Sequence, residues 1–359
     1  MSSTSELVGL LETFWPKNKA KGLLAQTVFH SGVNTGGFGK DASDKITPGA
    51  WLLAPKNPDF YKFRFCFFVH SKIIKTDSFR NDPKQILGEQ YRPFHAIAEF
   101  MNNAGIGVIY AITLTADGEL PVNEIKQKNF ESITLKFLFF ENGKFIQKDP
   151  VDFFDKWDGT RGRASTGGDW TEETKAKIQK LDKETLTEMA LTELVYSGFI
   201  KGTLKKPLND PYDVDAFLIS ISQKNIFPME IKEKFPGENN HEKFFGIDAG
   251  RVMMLLRLCI PNDSNAIYLI RELDEAGKFI GWKYITLSDI IMTSSWNLQA
   301  GGPGMGGQQT QTIKLPYEYF KDFNTKEITE DNLKKIGNMP KDAKAIAKQF
   351  SKELENKFG

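Results

Sequence analysis

The chain has 359 residues, with 47 Lys and Arg against 46 Asp and Glu for a net charge of +1, and hydrophobic and charged shares of 40% and 26%. That balance is ordinary for a globular protein of about two domains, and it excludes both a disordered tail protein and a strongly basic non-specific DNA coat. The longest apolar runs fall short of the ~20 residues that a membrane span needs.

The opening residues, Met1 to Leu7, carry neither a basic leader nor a small-residue cleavage site, so a cytoplasmic protein is expected. Cys66 and Cys259 sit in apolar runs and read as buried, reduced thiols. The four histidines, His30, His70, His95 and His241, show no metal spacing, so zinc sites lose their ligands and any metal must be held by carboxylates.

Residues 1–158 read as an α+β domain. Ser5 to Trp15 has helical apolar spacing. Gly32 to Lys40 is a loop by composition and not a phosphate-cradling one, since Asp41 stands where a Ser or Thr ligand belongs. Strands are expected over Phe60–His70, Gly107–Thr115 and Ile133–Phe140, with Asp117-Gly118 and Asn142-Gly143 as turns. The aromatic and basic residues of 60–68 fit a core strand, with base stacking as the alternative. The polar stretch Gly159–Gly168, with Arg161 and Arg163, reads as the linker to a second domain over 169–320.

From 181 onward the pattern is helix, strand, turn, strand. Leu181–Ser197 has helical spacing and ends at Gly198. A turn at Asn209-Asp-Pro-Tyr leads into the β-rich run that starts at Asp213, and Ile226–Lys232 forms a second run. Period-two alternation places Asp213 and Asp215 on one face of the first strand, and Glu230 and Lys232 on one face of the second.

Asp215, followed after fourteen intervening residues by Glu230-Ile-Lys232, resembles the signature of the PD-(D/E)xK nuclease superfamily, the core of many type II restriction endonucleases. An acid two residues before a Lys is uninformative alone, because the chain has six: Asp82/Lys84, Glu124/Lys126, Glu173/Lys175, Glu230/Lys232, Asp342/Lys344 and Glu355/Lys357. Only Glu230/Lys232 ends an apolar strand that follows another apolar strand opening with an acid. The resemblance implies a mixed central sheet flanked by helices, an α/β restriction-endonuclease-like core. It also implies Mg²⁺ held by Asp215, Glu230 and the Ile231 carbonyl, with Lys232 orienting water or neutralising the transition state. A helical acid upstream would be Glu193, which falls in the apolar arc at 100° per residue, or Glu188, which points nearly opposite. Asp213 is the alternative to Asp215.

Gly246–Arg257 reads as a helix, with Arg251 and Arg257 as candidate DNA-backbone contacts. Ala266–Leu273 and Trp282–Leu287 read as further strands. Gly301–Thr312 is a Gly- and Gln-rich loop in which Gln308 and Gln309 suit base edges. Lys201, Lys205 and Lys206 beside the site are candidate phosphate contacts. Residues 321–359 form a charged helical tail whose Ile346, Phe350 and Leu354 suggest docking on the core.

The expected function is therefore that of a Mg²⁺-dependent, sequence-specific restriction endonuclease. It would cut double-stranded DNA to 5′-phosphate and 3′-hydroxyl ends, and it would work as a homodimer because two strands need two sites. The alternatives are a repair, recombination or defence nuclease directed by structure, modification or a ligand, and a non-enzymatic nucleic-acid or protein-binding module.

Overall fold

The computed structural model describes residues 3–15, 17–38, 45–53, 64–149, 169–200, 205, 212–220, 225–293, 298–303, 309–323 and 330–358. The chain is α/β, with mixed β-sheet flanked by helices. It divides into two units, one of residues 1–35, 50–57 and 62–213, the other of residues 36–49, 58–61 and 214–359. The division falls between Asp213 and Val214, so 169–213 goes with the N-terminal unit, and the 159–168 stretch lies outside the described residues.

In the first unit, helix α1 (Thr4–Phe14) starts at a capping box. Ser3 Oγ accepts the Glu6 N–H at 3.2 Å and Glu6 Oε2 accepts the Ser3 N–H at 2.7 Å, which satisfies two donors that the helix start leaves open. Helix α2 (Lys17–Asn34) follows, then β1 (Ile46–Leu53, its first four residues counted with the second unit), β2 (Phe65–Val69) and β3 (Ile74–Lys75). Next come α3 (Pro83–Leu87), α4 (Tyr91–Asn103), β4 (Gly107–Thr115), α5 (Val122–Lys126), β5 (Thr134–Glu141) and β6 (Lys144–Lys148). The unit closes with α6 (Glu172–Ile178) and α7 (Lys183–Ala190).

Its strands run in the order β1-β2-β4-β5-β6, antiparallel except for the parallel pair β2/β4, with β3 also parallel to β4. One face packs Phe67, Ile109, Ala111 and Phe137 against Leu7, Leu10 and Leu11 of α1 and Leu186 and Ala190 of α7. On the other, Phe68 and Tyr110 meet Phe94 of α4 at 5.3 and 4.7 Å between ring centres. The burial of Phe67 and Phe68 makes β2 a core strand and removes them as base-stacking residues; 60–63 lie outside the described residues.

The helix expected to end at Gly198 behaves differently. After α7 the backbone turns π-helical over Leu191–Tyr196, and helical conformation continues to residue 200. Gly198 is no cap. A Cβ there would stand 2.6 Å from Phe130 Cζ, so close packing against that ring demands the glycine.

In the second unit, β7 (Tyr212–Ser220, its first two residues counted with the first unit) pairs antiparallel with β8 (Asn225–Lys234), from Ala216↔Met229 to Ser220↔Asn225. The chain then forms β9 (Gly237–Asn239), β10 (Glu242–Asp248) and helix α8 (Ala249–Cys259) before β11 (Ile267–Leu273). Strand β11 lies parallel to β8, which is why a crossover of this length is needed. It pairs antiparallel with β12 (Phe279–Thr286), and helix α9 (Leu287–Thr293) follows. A second, antiparallel sheet has the order β13-β14-β10-β9, with β13 at Leu298–Pro303 and β14 at Gln309–Pro316. The short β15 (Lys321–Asp322) borders β12.

Three expectations change here. Gly246-Ile-Asp belongs to β10, because Asp248 Oδ1 accepts the Gly250 N–H at 2.8 Å and so starts α8 only at Ala249. Much of the Gly301–Thr312 loop is strand, the ends of the β13/β14 pair. The tail forms α10 (Glu330–Ile336) and α11 (Lys341–Phe358), and α11 docks through buried Ala343 and Ala347 while Ile346 stays 41% exposed; the side chains of Phe350 and Leu354 lie outside the described residues. Small residues on that face let the helix approach closely.

Candidate active site

Continuing the β7/β8 register one step beyond Ala216↔Met229 sets Asp215 opposite Glu230. One residue further on, a side chain replaces the backbone partner: the Ile231 N–H donates to Asp215 Oδ2 at 2.6 Å. A residue's N–H and C=O point to the same edge of an extended strand, so the Ile231 carbonyl also turns toward the Asp215 edge. The start of β7 is crowded from β1, where a Cβ on Gly49 would lie 1.9 Å from the Val214 carbonyl oxygen and 2.6 Å from that of Asp215. Glycine is thus required where the two backbones meet.

Both carboxylates are buried, Asp215 at 1% and Glu230 at 0% exposure. A buried carboxylate without a partner is costly by several kcal/mol, so cations must be close. Alternation along β8 puts Lys232 on the face of Glu230. Its Nζ lies 2.8 Å from Glu230 Oε1 and 3.6 Å from Asp215 Oδ2, so one ammonium reaches both acids. Arg251, at the start of α8, brings Nε to 3.3 Å from Glu230 Oε1. These ion-pair distances are not accompanied by an aligned hydrogen bond to either Glu230 oxygen among the described residues. The lone pairs of Glu230 are therefore poorly used for a group so deeply buried.

The next residue on the same face, Lys234, donates from Nζ to the Gly246 carbonyl at 2.6 Å, and the Tyr268 hydroxyl donates to that same oxygen at 2.8 Å. Burial lowers the Lys234 pKa, Lys232 adds to the effect, and Glu230 and Asp248 oppose it. Burial raises the Tyr268 phenol well above its usual range, with Glu230 and Asp215 adding to it. Lys234 was readable from the alternation Glu230, Lys232, Lys234. The inward reach of Arg251 and the position of Tyr268 had no sequence signal, because both depend on where α8 and β11 pack.

The other expected residues are each described by themselves or lie outside the described residues. Glu193 is part-buried on the π-helical segment of the first unit. Glu188, on α7, is part-buried as well, and desolvation, with Glu184 and Asp182 adding to it, pushes its carboxyl up to about 8. A wheel at 100° per residue had turned it away, but α1 and α2 both pack on α7, and the π-turn breaks the helical phase after Ala190. Asp213 is part-buried at the start of β7, and Arg257 is part-buried in the last turn of α8. Lys205 is exposed with φ 53°. Lys201, Lys206, Gln308 and the side chain of Gln309 lie outside the described residues. The decoy pair Glu124 and Lys126 is on helix α5, where a two-residue step separates side chains instead of aligning them.

Among the described residues no group of three or more His, Cys, Asp or Glu is positioned to hold a metal ion. What this site offers is two carboxylates and a strand-edge carbonyl, all hard oxygen donors of the kind that suits Mg²⁺. The under-used Glu230 oxygens fit such a cation. Among the described residues no helix is long and apolar enough to cross a membrane. Comparisons of the chain with protein-family models, with curated proteins and with solved structures found no match in any of the three.

Proposed function

We propose that this protein is a Mg²⁺-dependent endonuclease of the restriction type, hydrolysing phosphodiester bonds of double-stranded DNA to leave 5′-phosphate and 3′-hydroxyl ends. One observation carries the reading: Lys232 Nζ reaches both buried carboxylates, Asp215 and Glu230, at the point where a side chain takes over the β7/β8 ladder. The mixed sheet and the helix-then-hairpin order agree with the PD-(D/E)xK resemblance.

In this reading Asp215, Glu230 and the Ile231 carbonyl would hold Mg²⁺. When bound, the ion supplies charge stabilisation at phosphorus and a more acidic water. The Ile231 amide fixes the orientation of the Asp215 carboxylate. Lys232, a third exposed at its side chain, presents its ammonium at the border of the site, where it can hold the attacking water or a phosphate oxygen. Lys201, Lys205 and Lys206 are proposed phosphate contacts, and Gln308 and Gln309 proposed base contacts. A homodimer follows from one site per chain and two strands to cut.

The test is digestion of plasmid DNA with Mg²⁺, using Lys232→Ala as the control. Discrete fragments that disappear in the variant support restriction-type cleavage. A smear indicates cutting directed by DNA structure, and intact plasmid, with modified DNA also offered, indicates a binding protein.

A further inference from the structure

Arg251 sits at the third position of α8, whose start is set by the Asp248 cap, and its side chain is 18% exposed. Its Nε lies 3.3 Å from Glu230 Oε1, looser than the roughly 2.7–2.9 Å of a charge-assisted hydrogen bond. Nη1 points at the Met254 sulfur at 3.9 Å, a weak acceptor. Lys232 reaches the same Glu230 oxygen from the strand. Two cations thus crowd one carboxylate atom, and neither makes an aligned hydrogen bond to it. A divalent ion needs the electrostatic place that these two share.

Given the metal-dependent reading of the site, on which this rests, we infer that Arg251 is the resident counter-ion and positioning residue of Glu230. It keeps the buried acid neutralised while no metal is bound, competes with the divalent ion for it, and is released toward the substrate phosphate when the ion enters. Arg is suited to this exchange because its charge is permanent and its planar fork matches a phosphate as well as a carboxylate.

The test uses the full-length protein, Mg²⁺ and Ca²⁺ titrations followed by calorimetry, and thermal melts with and without metal. Arg251→Met keeps the packing of the stem and removes the charge, and Arg251→Lys keeps the charge. Removing one unit charge a few ångströms from the ion should tighten Mg²⁺ binding about tenfold. The metal-free Tm should fall, and the rise in Tm on adding Mg²⁺ should exceed that of the wild type. Arg251→Lys should bind the ion like the wild type, and it serves as the folded comparison if Arg251→Met melts too low to titrate, in which case restoration of its Tm by Mg²⁺ supports the inference and no restoration overturns it. Equal or weaker Mg²⁺ binding by Arg251→Met, with the wild type binding normally, overturns the inference alone. Absence of divalent-ion binding in the wild type overturns the metal-dependent reading and the inference with it.

Discussion

The Ile231 amide is hydrogen-bonded to the Asp215 carboxylate at 2.6 Å, in the position where an antiparallel neighbour would offer a backbone carbonyl. This single contact ends the ladder, orients the acid and commits the edge of β8 to the site. It also makes Asp215 structural and chemical at once, and the two roles separate by substitution. Asp215→Ala leaves a buried N–H without its acceptor and should cost about 1–3 kcal/mol in urea denaturation. Asp215→Asn retains an acceptor oxygen and should melt near the wild type, yet lose Mg²⁺ binding and DNA cleavage. Equal cleavage by Asp215→Asn and wild type would remove Asp215 from the site.

Lys232→Ala should keep the fold, because Arg251 still neutralises Glu230. Cleavage should fall by at least about a hundredfold, the usual scale for one transition-state charge partner. Circular dichroism alongside plasmid digestion checks this. Glu230→Gln, which removes the charge that both cations serve, should abolish Mg²⁺ binding while leaving the metal-free protein folded.

Gly49→Ala tests the crowding behind the site. The new Cβ would fall 1.9 Å from one backbone oxygen and 2.6 Å from another, neither of which can swing aside as a side chain does. Destabilisation of about 3 kcal/mol or more is expected, of the size that overpacking and backbone displacement produce. A variant with an unchanged urea midpoint would show that β1 does not press on the start of β7.

Two groups of the first unit set an expected pH dependence of stability. Burial, with Lys72 adding to it, pulls the His70 ring down to about 4, while its Nδ1 lies 2.9 Å from the Tyr110 hydroxyl. The native ring stays neutral where the unfolded chain takes up a proton, so stability falls as pH drops from about 6.5 to about 4, by about 3 kcal/mol in all. Glu188, raised to about 8, works the other way: the native acid keeps its proton where the unfolded one has lost it, so stability falls as pH rises from 4.5 to about 8. The two oppose each other between about 4.5 and 6.5, with His70 acting alone below that window and Glu188 alone above it. Urea midpoints of Glu188→Gln should therefore be flat from pH 6.5 to 8, while those of His70→Gln should lose the decline toward pH 4.

Local chemistry was written plainly in the residues. The strand over Gly107–Thr115 appears with the expected bounds, and Asp117-Gly118 and Asn142-Gly143 make the expected turns, with Gly118 at φ 80° and Gly143 at φ 75°. The first helix appears one residue from its expected span, because apolar spacing and the Ser3/Glu6 box are local signals. Of six acid-x-Lys triplets, the apolar strand context singled out the one that meets a second buried acid. Beyond those spans, tertiary packing decided the outcome. A helical wheel assumes one buried face and an unbroken 3.6-residue period, so it could not foresee that Glu188 and Glu193 are both part-buried, on a helix that two others pack against and that turns π-helical after Ala190. Periodicity also cannot show which distant groups touch, so neither the approach of Gly49 to the β7 backbone nor that of Gly198 to the Phe130 ring was readable, and Gly198 read as a helix end instead. Arg251 lies far from Glu230 along the strand-and-crossover path, and only the packing of α8 over β8 turns a surface-seeming arginine toward a buried carboxylate. Short-range preferences set which segments are strands and helices, whereas the convergence of charges in a low-dielectric site is a property of contacts between segments distant in the chain.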